Sequence, residues 1–276
     1  MKIVAQSVNF INEAFTDKKE HIARCGRICY ASESNSSADK FYARLLKSNH
    51  LSVLRHASAY YIIPNDEVKT HKVDIICAKY LSMYKSRQFS YISTNEEVAI
   101  THLKKLEPYR ISAYNAQHDP VFKREKMIRY TFIVNNGIDI TRELNRVSPN
   151  NICEQSTRYV DFNKKVGINY KECHWMSKCN FYQKCLYKFI AKCGEWFYKI
   201  SRSKYGLNLQ PQDARWCLYL DVMSKAAYTY TVKEWEHIIN LRLWDSTGKA
   251  HPDVKPCIND IYDYLTVQGY TINKEK

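Results

Sequence analysis

The densest group of potentially reactive side chains in this sequence of 276 residues is the segment 153–159, CEQSTRY. It sets an acid, an amide, two hydroxyls and a guanidinium side by side, in the order Glu154, Gln155, Ser156, Thr157 and Arg158. Arginine suits anion binding because its planar, permanently charged group donates two parallel hydrogen bonds. The segment therefore predicts a site for a polar ligand.

Ser156 has two alternative roles in such a site. A nucleophilic serine is not expected, because hydrolase serines stand in strand-turn-helix elbows such as Gly-x-Ser-x-Gly, which is absent from the sequence. Contact with a ligand and a hydroxyl-to-backbone turn are the alternatives, and both can hold at once.

The elements that must position this segment follow from hydrophobic periodicity and turn residues. The segment lies in a predicted loop, 150–159, that is entered through Pro149. Predicted helices are 38–47, 95–106 with an Asn95 cap, 139–146, 181–204, 211–218 and 232–243. Predicted strands are 53–63 and 128–134, with turns at 64–66 and 135–137, and 80–93 is predicted as an extended arm. The pattern thus alternates between helices and strands, and the length favours a single elaborated domain over residues 1–276.

The charge balance predicts phosphate-bearing partners. The chain has 42 basic against 28 acidic side chains, a formal net charge of +14, which implies a strongly positive surface potential. The 22 tyrosines and five tryptophans could stack nucleic-acid bases. However, the basic residues are spread along the chain, and no helix-turn-helix, zinc-finger or RNP-type string is present. Nucleic acid is therefore possible but not favoured, and a small phosphorylated ligand fits the charge equally well.

The compartment and the cysteines are interpreted together. No run of about eighteen apolar residues appears, and the N-terminus is polar by Gln6 and Ser7, so neither a membrane span nor a signal peptide is expected. We expect a cytoplasmic protein whose ten cysteines are free thiols. No metal is expected, because the gaps between Cys173, Cys179, Cys185 and Cys193 do not match zinc-site spacing.

The segment 142–159, RELNRVSPNNICEQSTRY, resembles the signature of the flavin-dependent thymidylate synthases. In that family an Arg-His-Arg triplet is followed after seven residues by the serine of a Glu-x-Ser-x-Arg-Tyr string. Here the string is intact, whereas the triplet reads Arg146-Val147-Ser148. Other segments are similar to the family in the same order: 27–30 RICY, 49–56 NHLSVLRH, 213–215 DAR, 240–242 NLR and 250–253 AHPD. The stretch 57–127 is least covered, and we expect an insertion there.

The resemblance implies conversion of dUMP to dTMP, with methylenetetrahydrofolate as carbon donor and FAD and NADPH as reductants. It implies dUMP contacts from Glu143, Arg146, Glu154, Gln155, Ser156, Thr157, Arg158 and Arg215. It implies FAD contacts from Cys29, His50, Ser52, Arg146, Glu154, Thr231, Lys233 and His237. Adding a carbon to C5 of uracil develops negative charge on the ring, which a guanidinium stabilises, and the resemblance assigns that catalytic role to Arg242. It also implies an α/β (α+β) fold with a mixed sheet and flanking helices, and a homotetramer with FAD between subunits.

Two alternatives stand beside this interpretation. One is a divergent relative that modifies a pyrimidine nucleotide differently. The other is a non-catalytic relative that binds a nucleotide or nucleic acid.

Overall fold

The computed structural model describes residues 2–32, 36–73, 81–146 and 151–275. Its strands are β1 Lys2–Val4, β2 Ser7–Ile11, β3 Ser58–Pro64, β4 Ser82–Lys85, β5 Phe89–Asn95, β6 Arg110–Ile111, β7 Arg129–Gly137, β8 Ile152–Glu154, β9 Asn169–Lys171 and β10 Met223–Thr231. A four-stranded antiparallel sheet in the order β2-β7-β10-β8 forms the centre, a second four-stranded antiparallel sheet has the order β4-β5-β3-β6, and β1 pairs in parallel with β9.

Helices surround both sheets. The described α-helices are α1 Lys18–Ile28, α2 Ala38–Lys47, α3 Asn65–Thr70, α4 Glu96–His102, α5 Ala113–His118, α6 Pro120–Arg124, α7 Ile138–Leu144, α8 Phe181–Arg202, α9 Pro211–Ala214, α10 Val232–Arg242 and α11 Lys255–Val267. Short 3₁₀ helices include Leu51–His56 and Arg215–Cys217, and Phe162–Val166 is a π-helical turn. The mixed α/β class predicted from the sequence is confirmed. In the described part of the chain, no helix is long and apolar enough to cross a membrane.

The main core lies on one face of the central sheet, where alternate residues of β7 and β10 point inward. The register pairs Tyr228 with Phe132 and Tyr230 with Tyr130, so that large aromatic side chains stack on the same face. Trp235 of α10 contacts both strands, with ring centroids 5.2 Å from Phe132 and 5.1 Å from Tyr230. The central sheet is thereby fixed against α10.

The second sheet is built from residues 58–111, inside the region predicted as an insertion. It joins the main core, since Tyr60 of β3 is buried with Phe122 and Tyr130, and the rings of Tyr60 and Phe122 are 5.4 Å apart. That this region is an insertion, and that the whole chain is one domain, stay predictions.

Several element boundaries differ from the prediction. The predicted turn 135–137 is wrong, because these residues end β7 and pair with β10 as far as Gly137 opposite Met223. Residues 51–56 form a 3₁₀ helix, so the predicted strand 53–63 begins only at Ser58. The predicted loop 150–159 contains the short strand β8, because its backbone pairs with β10. The predicted arm 80–93 is extended where described, but it pairs as β4 and β5.

Candidate functional site

The segment singled out in the sequence starts at an edge strand of the central sheet and turns away beneath α1. In β8, Glu154 lies opposite Ala226 of β10, and one residue later the Gln155 amide donates to the Lys225 carbonyl at 2.8 Å. The Ser156 amide then donates to the Cys29 carbonyl at 2.9 Å, at the end of α1. These backbone bonds fix the segment between the sheet and α1.

Ser156 makes the turn that was one of its two predicted roles. Its side-chain oxygen accepts a hydrogen bond from the Arg158 amide at 3.1 Å, and its carbonyl accepts one from Val160 at 3.1 Å. The side chain also lines a cleft. A turn of this kind aims the side chains that follow it, and Arg158 is exposed beside the cleft.

This cleft, named the nucleotide cleft after the ligand that the family resemblance implies, has a volume of about 540 Å³, within the usual range for small-molecule sites. Its lining residues are Ile138, Arg142, Glu154, Gln155, Ser156, Thr157, Arg158, Arg215, Trp216, Leu218 and Leu220. They come from α7, from the segment after β8 and from the stretch between α9 and β10. The fold therefore joins two distant stretches of sequence in one concave surface.

Three guanidinium groups give the nucleotide cleft its charge. Arg215 donates to the Thr157 hydroxyl at 2.9 Å, across 58 residues of sequence. Arg142 and Arg158 are exposed, and Arg158 lies over the Tyr159 ring at 5.3 Å. Planar guanidinium groups around a concave surface are suited to a phosphate monoester.

The one acid in the lining, Glu154, is already bound by the protein. Its Oε1 accepts from the Thr141 hydroxyl at 2.6 Å and its Oε2 accepts from the Asn145 amide at 2.9 Å. These bonds tie β8 to α7, and among the described residues the carboxylate forms no ion pair with a guanidinium group of the cleft. The positive charge of the cleft is thus left for a ligand.

Gln155 is the most deeply buried polar side chain of the cleft, with 6% of its surface exposed. Its side-chain Nε2 has no hydrogen-bond partner among the described residues. A buried amide donor without a partner costs free energy, of the order of 1–3 kcal/mol. A ligand that offers a carbonyl or phosphate oxygen at this point would recover it.

Arg242 and Glu143 contact each other outside the cleft lining. The Arg242 guanidinium lies 3.3 Å from Glu143 Oε1 and donates to the Glu143 carbonyl at 3.0 Å. Both side chains are half-buried, and the Arg242 Nε is buried without a partner in the described part of the chain. Neither lines the nucleotide cleft of a single chain.

Most of the residues expected to contact FAD lie outside the nucleotide cleft. Thr231 caps α10, and its hydroxyl is engaged with Glu234 at 2.8 Å. Lys233 and His237 on α10 are exposed, as are His50 and Ser52 at the start of the Leu51–His56 helix. Apart from Glu154, none of the expected FAD contacts lines the nucleotide cleft.

The triplet 146–148 is described only at its first residue. Arg146 is exposed just after α7, while Val147 and Ser148 lie outside the described residues. In the segment 49–56, Arg55 forms an ion pair with Glu97.

Cys29 contacts a second thiol beside the site. Its thiol is hydrogen-bonded to that of Cys153, which lowers the pKa of Cys29. The same hydrogen bond, together with burial, raises the pKa of Cys153 well above its usual value. The described cysteines form no disulfide, and no group of His, Cys, Asp or Glu in the described ranges could hold a metal ion.

Five lining residues were missed by the sequence interpretation: Ile138, Arg142, Trp216, Leu218 and Leu220. Arg142 lies on α7, whereas Arg146, four residues later, follows the end of that helix. In the predicted helix 139–146 this spacing puts both arginines on one helix face. Trp216 follows Arg215 directly. Only the helical spacing of Arg142 was visible in the sequence.

Comparisons with known proteins give the following findings. The family model described as Thymidylate synthase complementing protein matches residues 82–266. Solved structures that align with this one include a UMP/dUMP methylase PolB from Streptomyces cacaoi bound with 5-Br UMP, at 12% identity and a TM-score of 0.45, covering 97% of this chain and 92% of that one. The same enzyme bound with 5-Br dUMP aligns at 13% identity and a TM-score of 0.46, covering 97% and 93%. No curated protein sequence matches.

Proposed function

This chain belongs to the thymidylate synthase complementing protein family, and from that premise we propose that it is a flavin-dependent thymidylate synthase. The proposed reaction converts dUMP to dTMP, with methylenetetrahydrofolate as carbon donor and FAD and NADPH as reductants. One observation carries the proposal: Arg215 Nη1 lies 2.9 Å from the Thr157 hydroxyl, so that two distant segments of the chain meet in one cationic cleft.

The nucleotide cleft offers a separate partner for each part of dUMP. Arg142, Arg158 and Arg215 are the donors for the phosphate. The unpartnered Gln155 amide is a donor for a uracil carbonyl. Trp216 and the apolar wall beside it supply a surface on which a base can lie. In this assignment the chain binds and orients the substrate.

We propose that FAD is bound between subunits by the residues that the family resemblance implies. Lys233, His237, His50 and Ser52 expose their polar groups, but Thr231 uses its hydroxyl to cap α10. When bound, the flavin supplies the hydride for the reaction. The side chains of this chain would bind its phosphates and ring edges, with Lys233 as the cationic contact.

Arg242 is proposed to stabilise the negative charge that develops on the pyrimidine ring. In a single chain it contacts Glu143 and does not line the cleft. The proposal therefore needs a site completed by a neighbouring copy of the chain. The Arg242 Nε is buried without a partner among the described residues and is therefore a donor available for that contact.

The surface of α8 supports such an assembly. Large apolar side chains are exposed along it, with Phe181 84%, Phe189 66% and Trp196 56% exposed. Large contiguous apolar patches are rare on the surface of monomers and mark interaction sites. The patch continues into the cleft, because the ring of Phe197 lies 6.4 Å from Trp216, which also lines the cleft. A second copy seated on α8 would bury about 150–250 Å² per aromatic side chain, enough together to approach the roughly 800 Å² per partner of a stable interface.

We expect wild-type protein to have a mass in solution that is a multiple of 32.6 kDa, and we propose a homotetramer. Replacing Phe189→Glu and Trp196→Glu together should shift the mass measured by light scattering toward that of the single chain, because charges would enter the apolar interface. Lys188→Glu, at an exposed lysine of the same helix, is the matched control. An unchanged mass in the double variant would remove α8 from the interface.

The reaction is tested with purified protein supplied with FAD. We expect a flavin absorbance spectrum, NADPH oxidation that depends on dUMP, and dTMP as the product by mass spectrometry. Protein that takes up no flavin at excess FAD would contradict the proposed function.

A second candidate, a divergent enzyme that modifies a pyrimidine nucleotide differently, is favoured by Val147 and Ser148 in place of the His and Arg of the family triplet. A product with a mass other than that of dTMP would identify it. Binding of dUMP without turnover would instead indicate a non-catalytic relative.

A further inference from the structure

A second cleft, called the basic cleft below, lies beside the nucleotide cleft and shares the Gln155 wall with it. It has a volume of about 510 Å³ and is formed by α1, the segment that follows the Phe162–Val166 turn, and β10. This size is again typical of a small-molecule site. Except for Gln155, its lining includes none of the residues that the family resemblance assigned to a ligand.

Every charged side chain that lines the basic cleft is a cation. These residues are Arg24, Arg27, Lys165 and Lys225, and no described carboxylate belongs to the lining. Four like charges around one concavity repel each other, so the arrangement adds nothing to folding stability. Such a cleft raises the local concentration of anions.

Two of these cations are held in place by the protein. Arg27 donates to the Ser36 carbonyl at 2.6 Å and lies over the Phe41 ring at 5.6 Å. The Lys165 ammonium donates to the Tyr30 carbonyl at 3.3 Å. Neither contact neutralises a charge, because both acceptors are carbonyl oxygens. The other two, Arg24 and Lys225, are exposed at the rim, and no ion pair is found for them among the described residues.

Gln155 provides an independent indication of a ligand. Its side chain is more than nine-tenths buried, and its Nε2 has no partner in the described part of the chain. The amide nitrogen carries two N–H donors, and the side chain lines both clefts. It can therefore bind one acceptor on each side, and ligands in the two clefts would be neighbours.

We propose that the basic cleft binds a phosphate-bearing small molecule other than the nucleotide held near Arg215. A phosphoanhydride suits it best, because several negative charges on adjacent phosphates match cations on two sides of the cleft. Inorganic polyphosphates and dinucleotide cofactors share this chemistry. The proposal does not depend on the proposed reaction, since it concerns anion binding by the resting protein.

The test is titration calorimetry of the full chain with inorganic pyrophosphate at constant ionic strength. Wild-type protein should show saturable binding. The double variant Arg24→Gln, Lys225→Gln should bind pyrophosphate about twentyfold more weakly, since each rim cation contributes of the order of 1 kcal/mol, or about fivefold. The control pair Lys47→Gln, Arg87→Gln, both exposed elsewhere, should stay within about twofold of wild type. The unfolding temperatures of both double variants are measured alongside, and they should equal that of the wild type.

Competition separates the two clefts and the sources of the phosphate. Because dUMP is expected in the nucleotide cleft, its affinity should be the same in the double variant as in wild type. FAD or NADPH that displaces pyrophosphate identifies a dinucleotide as the natural ligand, and displacement by neither identifies a smaller polyphosphate. The proposal fails if the double variant binds pyrophosphate as wild type does, if the control pair loses as much affinity, or if dUMP displaces the pyrophosphate.

Discussion

Two charged regions of this protein use the same residue types in opposite ways. One is a closed cluster formed by Lys171, Asp139, Asp221 and Asp253, in which the lysine side chain is only 1% exposed. The Lys171 ammonium lies 2.9 Å from Asp253 and 3.7 Å from Asp221, and it also binds Asp139. In the nucleotide cleft, the guanidinium groups of Arg142, Arg158 and Arg215 face an open concavity whose one acid is bound elsewhere.

The difference separates charges that stabilise the fold, because the protein pairs them, from charges that are available to a ligand. In the closed cluster, burial raises the pKa of Asp253, but the hydrogen bond and charge of Lys171 outweigh it and the pKa is lowered below 3.8. The protein itself thus supplies the counter-charges. In the nucleotide cleft three guanidinium groups outnumber the single carboxylate of Glu154, so a ligand must bring the remaining negative charge.

Removal of the lysine from the closed cluster should have the largest effect. Lys171→Met leaves three carboxylates close together, one of them almost fully buried. Breaking a buried ion pair by deleting one partner costs about 3–5 kcal/mol, and we expect a loss of that order in the free energy of unfolding measured in urea. Lys204→Met, at an exposed lysine, should change it by less than about 0.5 kcal/mol. A loss no larger than that of the control would show that Lys171 is not structural.

Arg242 is the intermediate case, because it is paired with a carboxylate and yet assigned to catalysis. We expect Arg242→Ala to lower the turnover of dUMP by about a hundredfold or more, as for the loss of one preorganised donor. Arg87→Ala, at an exposed arginine outside both clefts, is the matched control and should keep wild-type turnover. Wild-type turnover in Arg242→Ala, together with reduced stability, would place Arg242 with the closed cluster instead.

Local sequence signals predicted the elements whose stability is local. Helix α2 was predicted at 38–47 and is found at Ala38–Lys47, because Ser37 caps it and its apolar residues recur at helical spacing. The turn predicted at 135–137 failed because Asn136 finds partners far away in sequence. Its amide donates to Gln6 at 2.9 Å and to the Asp253 carbonyl at 3.2 Å, which keeps a polar residue inside a buried strand.

The candidate site shows the same limit. The segment 154–158 was visible as a group of polar side chains, but the contact of Arg215 with Thr157 spans 58 residues and was suggested only by the family resemblance. The basic cleft was not predicted at all. Its cations come from three separate stretches of sequence, and the missing partner of Gln155 is a property of packing that no spacing reveals.

His56 is a buried titratable side chain that packs against the central sheet and forms no ion pair among the described residues. We expect low pH to reveal its effect on stability. The His56 Nδ1 lies 2.8 Å from the Thr229 hydroxyl, and burial, then the nearby His21 and Arg129, lower the pKa of His56 to about 3. The unfolded chain has a pKa near 6.5 at this group, so it binds protons more readily than the folded protein as the pH falls. This contribution to stability is full above pH 6.5 and declines toward pH 3.

We expect the free energy of unfolding to fall by about 2 kcal/mol between pH 6.5 and pH 5 because of His56, at up to about 1.4 kcal/mol per pH unit. His56→Gln should flatten that part of the curve in urea titrations, whereas His118→Gln, at an exposed histidine, should leave it unchanged. The same slope in wild type and His56→Gln would rule out this origin of the acid sensitivity.

The smallest expected effect belongs to the open side of the comparison. Arg215→Gln removes a cation whose only described hydrogen bond is to the Thr157 hydroxyl and whose side chain is exposed. The free energy of unfolding should therefore change by less than about 0.5 kcal/mol. The affinity for dUMP, measured by calorimetry, should fall about tenfold, which corresponds to about 1.4 kcal/mol for one charge-assisted contact. Arg87→Gln, at an exposed arginine outside both clefts, controls for the general loss of positive charge. If Arg215→Gln destabilised the protein as Lys171→Met does, or left dUMP binding intact, an unpaired cation in a cleft would not mark a ligand site in this protein.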